Sequence, residues 1–523
     1  MAKSWLDQIW SKQGYDRSKA PSHAGQKSTL IPQTAAKYSN VLKLTVHSNK
    51  DSGKTVDLRG GFGRIEYHES ILQDCIRMVV VYTDTGNSTN NNRKGTNCDN
   101  TKAALEGLPI TGSEKVQIAI KDAQDVELKL DMYVNQVEIV NKTTTQTDTA
   151  LELASLEFLK NEKCRLKKRY TGKISQHVKR ILTDKDHLGT QKDVMIEPTG
   201  GKNYNFIGNT NKPFYSINDL CIKAVPQTQG AEGNTAGFFF WETSRGFYFR
   251  SIDKMMAQSQ KISIIYTATP GDDIPKGYNV KALDYTENVN INVQEKLMMG
   301  ATTTGCITFN QRNCDFKIHY LDAKEQQKYW GLAGEELNIW NKELDTQDAL
   351  SFDTTGRFTF LAEEDGTLPD GNTAEEQIEQ SEEKRFDPSR VFNQAIMRYN
   401  SLFAATNTVT IPGDFSLHAG DIVFIDSPEL KAAPKADVID KDSGGKYLIS
   451  DIAHLVTPQG TWTKLNLVRD SFGRVGKPSL SNTLSNVGDE LVPDIPFYTE
   501  GKDAAQQNLK DADSNLSSFA VPF

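Results

Sequence analysis

No run of about 18 apolar residues occurs anywhere in the 523-residue chain, so no membrane-crossing helix is expected. The longest apolar run, residues 78–82, is the size of a strand. The opening 30 residues are polar and lack the apolar stretch of a secretory signal, so folding in a cytosol is expected. Cysteine is sparse: Cys75, Cys98, Cys164, Cys221, Cys306 and Cys314 make no C-x-x-C pair, and the nearest two stand eight apart. The eight histidines include no H-E-x-x-H and no pair at i, i+4. Zinc and redox chemistry therefore have little support, and the thiols read as buried or idle in a reducing compartment. No G-x-x-x-x-G-K-[ST] or G-x-S-x-G occurs either. A basic excess is also missing. The net charge is −8 and the pI about 5.7, so no global field exists to hold nucleic acid. In so acidic a chain, spacing cannot nominate a lysozyme-like carboxylate pair. No catalytic, cofactor-binding or metal-ligating residue is nominated, and no cofactor is expected.

What is present is mainly alternation. Length allows several domains, and a mean hydropathy of −0.53 suits long polar loops. Residues 1–35 read as an extended arm. In residues 36–149, Leu42, Leu44 and Val46 alternate with Lys43, Thr45 and His47, the period of a half-buried strand. Val126, Leu128, Leu130, Met132 and Val134 share one face of a longer strand, with Glu127, Lys129, Asp131 and Tyr133 on the other. Residues 86–100 hold no hydrophobic residue besides Cys98 and read as a surface loop. This segment is expected to be an all-β barrel or sandwich.

Residues 150–255 read as α+β. Ile174, Val178, Ile181 and Leu182 make one helical stripe, and Pro213 can open a second helix that buries Ile217, Leu220, Cys221 and Ala224. Phe238-Phe239-Phe240-Trp241, a turn at Ser244-Arg245-Gly246, and Phe247-Tyr248-Phe249 read as a hairpin with aromatics on both faces. Both faces need cover, from a two-sided internal core or from a subunit contact on one side. Residues 256–395 are less legible, with short strands near 262–266, 306–309 and 316–320. Nine acidic residues and no basic one lie in 363–383, the mark of a solvated, self-repelling insertion. Alternation returns in 396–475, a second compact β unit, and 476–523 is a polar tail.

Two features invite chemistry without requiring it. Gly60-Gly61-Phe62-Gly63 has no helical stripe after it and reads as a bend between strands. Residues 160–180 hold nine Lys or Arg against Glu162 alone. They read as a solvated face or as a contact with an acidic neighbour. Nucleic-acid binding is the weakest reading, for want of interleaved aromatics to stack bases.

Two stretches go beyond generic β structure. One runs through F-L-K-N-E-K-C-R-L-K-K-R-Y from Phe158, then E-P-T-G-G, N-K-P-F-Y-S-I-N-D-L-C-I-K and G-F-F-F-W-E-T-S-R-G-F-Y-F-R-S-I-D, ending at Asp253. The other is L-H-A-G-D-I-V-F-I-D-S-P from Leu417, followed by G-G-K-Y-L-I-S-D-I-A-H-L-V from Gly444. Across about 36–475, in order, the chain resembles the central baseplate hub proteins of T-even-like contractile-tailed phages, a family related in fold to late control protein D and to the VgrG spike of type VI secretion. The resemblance implies an α+β, mainly β fold: two similar β-barrel domains, at 36–149 and 396–475, with an α+β region between. It also implies a non-enzymatic homotrimer whose six barrels ring a channel in the virion's tail baseplate, assembled in the host cytoplasm. A spike, often fused to a lysozyme, would attach on one side and the tail tube or its initiator on the other. Baseplate wedge proteins would surround the ring, and double-stranded DNA would pass without specific binding. A tail-associated peptidoglycan hydrolase and a host-binding or other virion component remain as alternatives.

Overall fold

The computed structural model describes residues 38–50, 53–85, 110–201, 203–227, 235–267, 274–288, 292–310, 315–335, 355–362, 388–428 and 443–478, with positions 108, 337, 373, 375 and 440. The expected arm at 1–35 lies outside the described residues, as does the tail beyond 478. The acidic stretch 363–383 does too, apart from Thr373 and Glu375.

Seven strands form the first set: β1 (Asn40–His47), β2 (Thr55–Asp57), β3 (Phe62–Ser70), β4 (Arg77–Asp84), β5 (Lys115–Lys121), β6 (Glu127–Lys142) and β7 (Thr147–Ala154). They hydrogen-bond in the order β2-β1-β5-β6-β7-β4-β3, every neighbour antiparallel. Period-two patterning sets the faces. In β6, Leu128, Leu130, Met132 and Val134 are buried, whereas Glu127, Lys129 and Asp131 are exposed. The inner residues pack with Val46, Val56, Met78, Val80 and Ile118. At the expected Gly-rich bend, Gly61 approaches β4 so closely that a Cβ there would lie 2.2 Å from the Thr83 carbonyl oxygen. Only glycine fits.

The middle region carries α1 (Leu156–Lys163), β8 (Arg169–Tyr170), α2 (Ile174–Thr183), β9 (Asp193–Ile196), β10 (Phe206–Ile207), α3 (Pro213–Lys223), β11 (Phe238–Thr243), β12 (Gly246–Ser251) and α4 (Ile252–Met256). Pro213 stands in the first turn of α3, where its missing N–H costs nothing. The expected hairpin is β11–β12, extended by parallel pairing of β12 with β9. Phe238, Phe240, Phe247 and Phe249 pack on α2 and α3, and Trp241 and Tyr248 pack into the core of the strands that follow. Both faces are thus covered within one chain.

After it come β13 (Ser263–Ile265), β14 (Val280–Lys281), β15 (Asp284–Asn288), α5 (Val293–Met299), β16 (Thr303–Asn310), β17 (Asp315–Asp322), α6 (Ala323–Gln326), β18 (Arg357–Ala362) and α7 (Pro388–Leu402). The chain then forms β19 (Ala405–Pro412), β20 (Ile422–Asp426), β21 (Gly445–Thr457) and β22 (Gly460–Arg469). The strands β17-β16-β18 make a separate small sheet. The others form a second set of seven, in the order β14-β13-β20-β21-β22-β19-β15. Counted one to seven within each set, both orders are 2-1-5-6-7-4-3. They differ in strand sense: β13 runs parallel to both its neighbours, whereas β1 runs antiparallel to both of its own.

The expectation of closed barrels is corrected at one point. Among the described residues no strand pairing joins β2 to β3 or β14 to β15, so neither set is closed by hydrogen-bonded strands. The chain itself spans each gap, through residues 58–61 in the first set and through Ala282 and Leu283 in the second. The Ala282 N–H reaches back to the Ile265 carbonyl and the Leu283 N–H forward to that of Thr410, both at 2.8 Å. The two sets are also not separate bodies. Pairing of β21 with β3 fuses them into one 14-stranded sheet.

Candidate functional site

The joint between the sets gathers the chain's buried polar chemistry. Strand β21 outruns β20, and its residues Asp451 to Val456 use the edge so exposed to pair antiparallel with β3. Val456 and Phe415, both from the second set, are buried in the first set's core. The turn before β6 holds Phe415 in place, since its N–H donates to the Asp122 carboxylate at 3.0 Å. Burial pushes the Asp122 carboxyl up to about 6 despite the backbone N–H groups of Phe415, Val126 and Gln124.

Glu69, on β3, is the centre of this joint. Its carboxylate accepts from the Tyr67 hydroxyl (2.7 Å), the Ser244 N–H in the hairpin turn (2.9 Å) and the Ala419 N–H (3.0 Å), and it meets His418 Nδ1 at 3.2 Å. Burial alone would raise its pKa, but the His418 charge and these hydrogen bonds bring it down to about 2. One side chain thus ties together the first set, the hairpin and the loop leading into β20. Beside it His454 stacks on Tyr67 at 6.0 Å between ring centroids, and burial lowers its pKa to about 3.

Three more buried clusters fasten other elements. Arg398 of α7 donates to Asp470 (2.5 Å), Asp253 (3.2 Å) and the Gly331 carbonyl (2.8 Å), and lies over the Trp330 ring. Lys192 bridges Glu157 (2.9 Å) and Glu242. Burial pushes Glu242 up to about 7, and Lys192 offsets only part of that. Arg474 grips Asp426 with two donors, at 2.9 and 3.0 Å. Each carboxylate here is already committed to holding backbone or another chain segment, which suits joints more than turnover.

The motifs singled out in the sequence fall as follows. His418, Ala419, Gly420 and Asp421 form a tight corner in which Gly420 has φ +88° and lies under Trp241, whose Nε1 donates to the Ala419 carbonyl at 3.1 Å. Part of the 160–180 basic cluster folds back on its own chain: Lys168 pairs with Asp186 at 2.6 Å, Lys160 caps the Leu188 carbonyl, and Arg180 covers the Tyr170 ring. A cleft of about 700 Å3 lies beside α3, α5 and α7. Its Lys296 holds the carbonyls of Asn400 and Phe403, and its Asp74 accepts from the Asn218 amide at 2.7 Å. Among the described residues no group of three His, Cys, Asp or Glu side chains is placed to hold a metal ion, and no helix is long and apolar enough to cross a membrane. Sequence reasoning missed Glu69, Arg398 and Lys192, because an isolated charge carries no periodic signal of its burial.

The fold and these joints define a mainly β scaffold, two like-ordered strand sets in one sheet braced by an α+β wedge. No family model matches the chain. Over 304 residues it is 20% identical to the probable baseplate hub protein gp334 of Vibrio phage KVP40, an alignment covering 57% of this chain and 66%, just under two thirds, of the relative. Among solved structures, the 43 kDa tail protein of prophage MuSo2 from Shewanella oneidensis matches 82% of this chain and 98% of its own at 10% identity, with a TM-score of 0.44. A tail protein from Neisseria meningitidis MC58 matches 83% and 97% at 10% identity and the same TM-score. The chain is similar to phage baseplate hub proteins, as its motifs imply.

Proposed function

We propose that the chain is a structural protein of a contractile phage tail, the trimeric central hub that joins the spike to the tail tube. The observation that carries this is the repeated strand order, 2-1-5-6-7-4-3 in both sets within one continuous sheet. Three copies of a chain with two like-folded units place six similar units around one axis, and a three-fold spike then meets a six-fold tube without mismatch. On this reading the two units are barrel-like domains, the second completed by β13–β15 from residues 263–288. The surfaces suit a conduit. The open face of β5 and β6 pairs Lys115 with Asp131 (2.7 Å) and Lys129 with Glu127 (2.8 Å), so its charge is mixed. A wall of this kind lets DNA slide, whereas a ring of Lys and Arg would hold it by counterion release. The protein catalyses nothing on this reading, and wall hydrolysis falls to a partner.

Light scattering of the full chain, alone and with a co-expressed spike, tests the proposal. A mass of three copies is expected, and averaged electron images should show a ring with six lobes. A stable dimer, or clearing of peptidoglycan in a zymogram by the purified chain, overturns it.

A further inference from the structure

The two sets match beyond strand order. In the second, Leu448 of β21 faces Ile422, the first residue of β20, and Val468 of β22. In the first, Tyr133 of β6 faces Lys115, the first residue of β5, and Ala154 of β7. Two residues later both strands shift register, between Ile449 and Asp451 in one and between Val134 and Gln136 in the other. A bulge at the same place in each set makes the sixth strands equivalent residue by residue as far as Ile139, after which β6 alone shifts register again, before Asn141. Past that bulge β21 spends its exposed edge on β3, the third strand of the first set. Past its own bulge β6 runs on to Lys142 bonded only to β7, and among the described residues no strand pairs with its other edge. That overhang carries Ile139 and Val140, 52% and 61% exposed. Neighbouring apolar side chains beside unpaired backbone groups make a template for another strand.

The second set holds the matching vacancy. Strand β15 is its third strand, the counterpart of β3, yet among the described residues it pairs only with β19. It cannot reach β6 of its own chain, because the sheet order sets them far apart.

We propose that the β6 overhang, residues 136–142, pairs antiparallel with β15 of a second copy of this chain, repeating between copies the β21–β3 joint made within one. The register follows from the equivalence. His68 faces Arg77 and Asn288 faces Thr406, corresponding steps along the third and fourth strands. The pairing of Ala453 with His68 therefore places Glu138 opposite Asn288, and Ile139 opposite Glu287. Such a contact is heterologous, with different surfaces on each copy, so it closes into a ring or runs on as a filament. Strand addition of this kind takes its affinity from main-chain hydrogen bonds and its register from side chains. The inference rests on the trimeric hub reading and adds to it the surface that makes the ring.

The test uses the full chain carrying I139C and E287C together. Facing residues of an antiparallel pair sit about 4.5–5.5 Å apart at Cα, within disulfide range. Mild oxidation should give a covalent ladder ending at three copies, reversed by reductant and absent from either single variant, which also controls for the six native cysteines. Separately, I139K/V140K should raise the concentration at which the trimer dissociates by about tenfold or more, with the circular dichroism of the monomer unchanged. If the unmodified chain is trimeric but the double cysteine gives no ladder and I139K/V140K still assembles normally, the strand pairing is wrong and the hub reading stands. A ladder running past three copies overturns the closed ring. An unmodified chain that stays monomeric with and without the spike overturns both.

Discussion

Glu69 and Glu242 are both buried carboxylates, yet burial and partners resolve them in opposite directions. Glu69 keeps its charge because His418, Tyr67 and two backbone N–H groups replace the water it lost. Its folded pKa of about 2 lies below the ordinary 4.5, so its contribution is complete above pH 4.5 and is lost as pH falls toward 2. The shift corresponds to ~3 kcal/mol. Replacing Glu69 by Gln should destabilise the chain by about 2–4 kcal/mol at pH 7, by leaving donors unpaired. In urea titrations the variant should also lose the drop in stability that the unmodified chain shows between pH 4.5 and 3. Glu242 has the opposite sign. Its folded pKa of about 7 exceeds 4.5, so its contribution is present below 4.5 and is lost as pH rises through 7. Melting temperature should therefore climb as pH is lowered from 7.5 to 5, and E242Q should flatten that slope. A slope unchanged in E242Q would assign it elsewhere, with Asp122 as the next group to change, since its pKa is raised to about 6.

Between elements, the aromatic hairpin acts as a wedge, one face against α2 and α3 and the other against the second set. Its seat is the 418–421 corner. A Cβ on Gly420 would lie 2.5 Å from Trp241 Cζ2, and its φ of +88° disfavours any other residue. G420A should cost about 2–4 kcal/mol through overpacking and backbone strain together, and near-ultraviolet circular dichroism should report the displaced indole. The β6 alternation, the stripes of α2 and α3, and the hairpin with its doubly covered faces were legible in the sequence. Strands of two residues were not, because Arg169–Tyr170, Phe206–Ile207 or Val280–Lys281 is too short to show a period, although Ser263–Ile265 falls within the expected 262–266. The pairing of β13 with β20 joins segments more than 100 residues apart, which no local pattern encodes. Helix α7, with Ala395 and Met397 buried, was missed beside the acidic stretch whose charge dominates that part of the chain. The joint residues were invisible for a further reason. A glutamate held by four donors reads in sequence like any solvated glutamate, and only the fold supplies the donors.

At the scale of the whole chain the question is whether two like-ordered sets behave as two domains or one. The repeated order argues for two units, each with its own core. The joint argues for one, since β21 and β3 share a ladder of six facing pairs and Glu69 is satisfied only when the first set, hairpin and corner are all in place. Phe415 weighs most in this balance. It belongs to the loop between β19 and β20, but its ring is 3% exposed inside the first set's core, against His454 at 5.1 Å. Opening the joint would empty that pocket and strip Asp122 of the Phe415 N–H, so neither set can unfold without cost to the other. The two sets should therefore melt in one transition, with calorimetric and van't Hoff enthalpies in agreement across the 14-stranded sheet. Replacing Phe415 by Ala should cost about 3–5 kcal/mol. The loss should fall on coupling as well as on stability, so that the single transition broadens or splits in two. Tryptophan fluorescence should follow the part containing Trp241 and Trp462, since the described first set, residues 38–154, holds no tryptophan. A single sharp transition at lowered temperature in F415A would show that the strand ladder alone couples the sets. Two transitions already present in the unmodified chain would show that they are independent domains resting against each other.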